Sequence, residues 1–255
     1  MIGDITGRRL KTTRTSLEIL RLILEHDGLN LSELDKMINS SKSSICSHLN
    51  TLQDCRYLVK DGKTYNVGYR LALLGDRTKH RYPDREVVKE AVDRLARESD
   101  QEANFTIFEH GRLLMFYGSS GNAVSGGNDI QYRSEYYLHN TAAGKAILAE
   151  LGHSQIEEIL DRWGLPRESE ATITNRAQLY ESLEEIAARG YATVDEEFAP
   201  GLVAVGAPVH DEDGTILGGI SVGGPKYQID STKTDLELAG KLLDAVAHLE
   251  SQLQS

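Results

Sequence analysis

Ser41-Lys-Ser-Ser-Ile-Cys-Ser-His-Leu-Asn-Thr-Leu-Gln-Asp-Cys55 decides how the first part of the chain is read. Ser41 can cap a helix that runs to about Cys55. Ile45, Leu49 and Leu52 recur at helical spacing and form one apolar stripe. Ser44, Ser47, His48 and Thr51 fall on the opposite side, leaving a face of small polar groups and one imidazole. Upstream, Asn30-Leu-Ser-Glu33 starts a shorter helix with Leu31, Leu34 and Ile38 inward. Before that, Thr15-Ser-Leu-Glu18 has the form of a capping box opening a helix with Leu17, Leu20, Ile23 and Leu24 on one face. Downstream, Tyr57 to Lys60 and Thr64 to Val67 alternate as strands around Asp61-Gly62-Lys63, a strong hairpin signal. Three helices followed by a basic-tipped hairpin describe a winged helix-turn-helix.

Such a third helix enters the major groove, where hydroxyl and imidazole groups reach base edges. Lys42 in its first turn, Lys60 and Lys63 on the wing, and Arg8, Arg9, Lys11 and Arg14 upstream are placed to bind phosphates. A three-helix interaction module with a merely solvated polar face is the alternative. Charge favours the first. The whole chain of 255 residues carries −11, but residues 1–81 hold 14 Lys+Arg and 9 Asp+Glu, a net of +5. The remainder holds 14 of the 28 basic and 30 of the 39 acidic residues, a net of −16. A basic end on an acidic body points to nucleic acid at the basic end.

Composition excludes other classes. Hydrophobic residues at 40% and charged residues at 26% are a globular balance. The longest apolar run, Leu113 to Tyr117, is far short of the ~18 residues of a membrane span. The N-terminus has no apolar segment of the secretory kind, so a cytoplasmic protein without membrane association is expected. Two cysteines cannot make a disulfide framework. Cys46 and His48 point in different directions on a helix, and Cys55 reads as a small core residue. No metal and no cofactor is expected.

Beyond the winged helix, an amphipathic helix over about 83–99 (Val87, Val88, Ala91, Leu95) leads into a hairpin, Ala103 to Phe108 and Leu113 to Tyr117, turning at His110-Gly111. A glycine-rich loop spans Gly118 to Asp129, and Ile130 to Leu138 reads as a strand. A helix from Ala142 to about Leu151 follows, capped by Asn140 or Thr141. Helices near 153–163 and 175–189, the second stopped by Gly190, precede strands at Tyr191–Val194, Val203–Val209 and Thr215–Val222. The last helix opens at Thr234-x-x-Glu237 and turns Leu236, Leu243, Val246 and Leu253 inward. The order predicts a mixed α/β chain of α+β type, with one central antiparallel sheet in the second domain. Domain limits are read as 12–73 and 74–255, the linker helix belonging to the second.

The assembled motifs resemble the IclR family of bacterial and archaeal transcription regulators over essentially the whole length. Lys42-Ser43-Ser44 is similar to the opening of that family's recognition helix. Leu138-His-Asn-Thr-Ala-Ala-Gly-Lys-Ala146 is similar to its effector-domain motif. Gly190, Glu197, Ala204, Val205, Gly206, Val209, His210 and Asp211 match its signature; Val194 departs, standing where Asp or Ser is usual. Cys46-Ser47 stands where many members carry Tyr-Arg, which leaves the operator sequence open. The resemblance implies a GAF-like effector domain, a homodimer or homotetramer, double-stranded operator DNA as partner, and a small metabolite controlling DNA binding. Carried over, the effector positions are Thr141, Ala142 and Ala143 at a helix opening, with Val194, Ala204, Ser221 and Gly223 on neighbouring strands. Members that bind short keto acids use an acidic group at the Val194 position and a hydroxyl at the Gly223 position, so a different or more apolar effector is implied here. The acidic excess fits the salt-rich cytoplasm of a haloarchaeal member.

Two enzyme readings compete. Gly219-Ile-Ser-Val-Gly223 matches a nucleophile elbow, with Asp230 or Asp235 and His248 following in hydrolase order. That elbow needs a strand-turn-helix, whereas the flanks of Ser221 read as continuous strand, and too few residues remain for a hydrolase sheet. Ala143-Gly-Lys-Ala146 lacks the first glycine and the final hydroxyl of a phosphate-binding loop. Lys145 is therefore expected to be a solvated or partner-facing side chain.

Overall fold

The computed structural model describes residues 7–82, 84–120, 134–229 and 237–253. Two compact units meet in sequence after residue 83. In the smaller unit, α1 (Lys11–Glu25), β1 (Leu29–Asn30), α2 (Leu31–Met37) and α3 (Lys42–Asp54) precede β2 (Leu58–Asp61), β3 (Thr64–Val67) and α4 (Arg70–His80). The strands form an antiparallel sheet in the order β1-β3-β2, with Asp61 opposite Thr64 at the wing turn. Asn30 and Glu33 form a reciprocal capping box at α2, and the Ser41 hydroxyl accepts from Ser44 N at α3. Ile19, Ile23, Leu34, Ile45 and Leu49 make the centre of its core.

Several expectations are corrected in this unit. α1 begins at Lys11 rather than at a capping box on Thr15; Thr15 is buried one turn inside, its hydroxyl donating to Lys11 O. The buried stripe of α1 is Thr15, Ile19 and Ile23, while Leu17 and Leu24 face solvent. Cys55 is exposed rather than in the core. α4 has no counterpart in the sequence reading, runs through position 73/74 and buries none of its residues.

The larger unit holds α5 (Arg85–Ser99), β4 (Glu102–Glu109), β5 (Arg112–Ser119), β6 (Glu135–Tyr136), α6 (Ala142–Glu150), α7 (His153–Trp163), α8 (Arg176–Arg189), β7 (Ala192–Asp195), β8 (Leu202–His210), β9 (Ile216–Pro225) and α9 (Ala239–Leu253). Its six strands form one antiparallel sheet, β6-β5-β4-β9-β8-β7. Within the described part, 134–138, of the strand expected over 130–138, β6 covers Glu135–Tyr136. Residues 121–129 of the expected loop, 130–133 of that strand, and the expected cap and Leu236 of the last helix lie outside the described residues. Leu243, expected inward, is exposed. No described helix is long and apolar enough to cross a membrane.

Strand alternation gives the sheet two different faces. Val205, Ala207, Ile220 and Val222 are buried on the side where α5 and α9 pack against the strands and each other. Their neighbours Gly206 and Gly219 carry no side chain because α6 sits directly on them. A Cβ on Gly206 would lie 2.6 Å from the Ala142 carbonyl carbon, and nearer still to Ala143 N. One on Gly219 would lie 2.8 Å from the Ala143 Cβ. At the far end of α6, Glu150 is 2.6 Å from His210 Nε2, and Glu250 of α9 is 2.8 Å from Nδ1. Burial alone would push the His210 pKa down, but hydrogen bonds and charge from the two carboxylates outweigh it and raise it above the usual value.

The glycine contacts generate a paired prediction. Gly206→Ala, which must displace backbone, lowers the stability of the larger unit by about 2–3 kcal/mol. Gly75→Ala, in the exposed helix α4 with nothing within 4 Å, raises that of the smaller unit by about 0.5–1 kcal/mol. Urea unfolding followed by Trp163 fluorescence for the first and by circular dichroism for the second measures both.

Candidate effector pocket and nucleic-acid interface

On α3, Ser41, Lys42, Ser43, Ser47 and Thr51 are exposed, and Ser44 and His48 are half-buried. Helix geometry brings Ser44, Ser47, His48 and Thr51 to one side, yet their hydrogen-bonding capacity differs. Ser47 donates to Ser43 O (3.0 Å) and Thr51 to Ser47 O (2.9 Å), so each hydroxyl keeps acceptor capacity for a base edge. His48 Nδ1 lies 2.8 Å from Ser16 Oγ, a bond that ties the ring to α1 and does not use Nε2. Lys60 and Lys63 are exposed on the wing, with the Lys60 ammonium 4.9 Å from the centre of the Tyr65 ring. Arg8, Arg9, Lys11 and Arg14 are exposed at and before the start of α1.

In the larger unit, Thr141, Ala142, Ala143, Val194, Ala204, Ser221 and Gly223 surround one cavity of about 110 Å3. Thr141 occupies the cap position of α6, but its hydroxyl donates to Tyr137 O (2.9 Å) and makes no cap bond to the first turn. Ala142 and Ala143 are each 3% exposed. A buried, side-chain-uncapped helix start offers amide N–H groups and the positive end of the dipole to an anion. Ser221 lies within the continuous strand β9, its hydroxyl donating to Asn104 Oδ1 (3.0 Å), so the strand-turn-helix of a hydrolase elbow is absent there. A side chain at position 223 would strike Val203 O and lie 2.6 Å from Ala204 Cβ. That glycine therefore serves strand packing as well as the cavity.

Sequence reasoning missed the β4 wall, Glu102, Asn104 and Thr106, and the apolar lining from Leu113, Tyr136 and Phe198. The signal was present in β4, where these polar residues alternate with Ala103, Phe105 and Ile107. Among the described residues, no group of three or more His, Cys, Asp or Glu side chains could hold a metal.

Lys145 overturns its expected solvated role. It is 3% exposed, and its ammonium lies 2.8 Å from Glu197 Oε1. Burial raises the pKa of the Glu197 carboxyl, and the charge and hydrogen bond of Lys145 pull it back only in part. The Glu197 carbonyl accepts from Ser169 (3.2 Å) and Thr172 (2.7 Å). Together these bonds anchor the 194–198 segment, which supplies Val194 and Phe198 to the cavity wall. Next to the helix start, His139 Nε2 lies 3.1 Å from Pro166 O, and burial lowers the ring's pKa, favouring the neutral form. Lys145→Met, which leaves a buried carboxylate unpaired, costs about 3–5 kcal/mol. Adding Glu197→Leu recovers most of that loss in thermal unfolding, because an apolar pair replaces the ion pair.

Comparison with known proteins accords with both units. The family described as IclR helix-turn-helix domain matches residues 15–62, and that described as Bacterial transcriptional regulator IclR C-terminal matches residues 79–251. The probable HTH-type transcriptional regulator ArcR of Halobacterium salinarum is 27% identical over 251 residues, covering 97% of this chain and 95% of that relative. The Thermotoga maritima IclR structure has a TM-score of 0.72 and 24% identity, covering 97% of this chain and all of that one (100%). An IclR homologue from Microbacterium hydrocarbonoxydans, solved with 4-hydroxybenzoate, has a TM-score of 0.77 and 17% identity, covering 95% and 99%. With the larger match alone spanning more than half its length, the chain belongs to the IclR family of transcriptional regulators.

Proposed function

We propose that this regulator binds a two-fold operator as a pair of chains, and that a small carboxylate in the α6 cavity changes its affinity for that operator. The observation carrying the effector half is the buried first turn of α6, which opens on a largely apolar cavity without a side-chain cap. A carboxylate accepts from those amides, and an apolar or ring-shaped body fills the space beside Tyr136, Phe198 and Val194. The Microbacterium homologue bound to 4-hydroxybenzoate supports an acid of this kind. On the DNA side, Ser44, Ser47, His48 and Thr51 read base edges in the major groove. Ser41, Lys42, Ser43, Lys60, Lys63, Arg8, Arg9, Lys11 and Arg14 hold the backbone. Two recognition helices on one face of the duplex require half-sites about one helical turn, or a multiple of it, apart.

Selection of fragmented genomic DNA by the purified protein at several salt concentrations tests this reading. It is expected to retain an inverted repeat with that spacing; retention independent of sequence contradicts operator recognition. On the recovered site, Lys42→Ala reduces the slope of log affinity against log salt by about 0.9 for each phosphate that is no longer neutralised, without altering sequence preference. Ser47→Ala relaxes the preference at one base pair of each half-site. An unchanged preference removes Ser47 from the base-reading residues.

A further inference from the structure

We propose that Ser16 is a positioning residue for operator recognition: its hydroxyl donates to His48 Nδ1 and holds the imidazole in its Nε2–H form, so that His48 presents a donor to base edges. This rests on the reading of α3 as the helix that enters the major groove, and adds the hydrogen-bonding character that one of its side chains carries there. Ser16 belongs to α1 and His48 to α3. Their side chains meet at 2.8 Å, and both residues are half-buried. The bond is the one printed link between a proposed base-reading side chain and another helix of the smaller unit.

A neutral imidazole has one N–H and one bare nitrogen, so the partner of one nitrogen settles the role of the other. If the serine hydrogen points elsewhere, Ser16 Oγ accepts from Nδ1–H and Nε2 becomes an acceptor. If that hydrogen points at Nδ1, Nε2 carries the proton and donates. Hydroxyls within helices can send their hydrogen to the carbonyl one turn back. Thr15, Ser47 and Thr51 do so here, to the carbonyls of Lys11, Ser43 and Ser47. Ser16 does not; among the described residues, the His48 ring is the hydrogen-bond partner of its hydroxyl. Its hydrogen is therefore directed to Nδ1. In the major groove a donor at Nε2 suits guanine N7 and O6, adenine N7 or thymine O4, whereas cytosine offers an amino group. Ser47 and Thr51, whose hydrogens are already engaged, are left as acceptors. His48 thus adds a donor to a face on which these two hydroxyls accept.

Two measurements on the full chain test the assignment. Proton–nitrogen correlations of the imidazole rings, recorded at about pH 8.5 where an ordinary imidazole is neutral, show which nitrogen of His48 carries the proton. The proton is expected on Nε2, and Ser16→Ala is expected to move both ring-nitrogen signals toward those of a free tautomer mixture. Alanine suits a helix interior, so this variant keeps α1. A proton on Nδ1, or ring signals indifferent to Ser16→Ala, overturns the proposal without touching operator recognition. On the operator recovered by selection, His48→Ala is expected to abolish the preference at one base pair of each half-site. Ser16→Ala is expected to weaken the preference at that same base pair about threefold to tenfold, the effect of one hydrogen bond. With His48 already replaced, Ser16→Ala is expected to change it by no more than about twofold. A preference undiminished by either variant, a loss at other base pairs, or additive effects of the two changes also overturns the proposal. If no operator is recovered, the reading of α3 falls and this proposal with it.

Discussion

The close approach of α6 to the sheet is the constraint on which the larger unit depends. Gly206 and Gly219 are bare because the first turn of the helix occupies the space their side chains would take. That contact holds Ala142 and Ala143 at the wall of the cavity, and the Thr141 hydroxyl is turned back to Tyr137 instead of capping the turn. Two further ties fix the helix. Lys145 reaches Glu197, whose backbone is gripped by Ser169 and Thr172, and at the C-terminal end His210 sits between Glu150 and Glu250. The helix is thereby joined to the 194–198 segment at one end, and through His210 to β8 and α9 at the other. A ligand bound at that first turn, as proposed, would act on an element already bonded to two parts of the larger unit.

Charge divides along the chain in the same functional sense. In the smaller unit Arg8, Arg9, Lys11 and Arg14 lie at and before the start of α1, Lys42 opens α3, Lys60 and Lys63 stand on the wing, and Arg70, Arg77 and Lys79 lie on α4, whereas the larger unit is strongly acidic. Net charge alone thus favours attraction of phosphates to the small unit over the acidic body. Within α3 the apolar stripe is spent on the core, and hydroxyls bonded to the helix's own carbonyls remain as acceptors on the outer face.

How much of this was legible from residues alone depended on whether a feature is local. α2 and α3 could be placed from Asn30, Glu33 and Ser41 because caps and helical spacing act over four or five residues. The two hairpins with tight turns, at Gly62 and at His110-Gly111, were legible for the same reason. The start of α1 was misread because Thr15 also satisfies its hydroxyl inside a helix by donating one turn back. Leu17 and Leu24 were misplaced because a helix rich in leucine supports more than one apolar face, and tertiary packing chose the one through Ile19 and Ile23. Lys145 was misassigned because its partner lies 52 residues away, beyond the reach of pattern. At the cavity, the helix opening and strand positions came from the resemblance to a known family. The β4 wall was marked by its alternation of polar and apolar residues, but nothing local said which face would meet the end of α6.

In the proposed complex, the first-turn amides of α6 receive a carboxylate. Amide resonances of Ala142, Ala143 and Gly144, followed while the protein is titrated separately with benzoate and with benzamide, test it most directly. Benzoate is expected to move these three signals more than any others in the larger unit, and benzamide, lacking the charge, to move them far less. Equal responses to the two compounds, or benzoate shifts concentrated away from the start of α6, would contradict it.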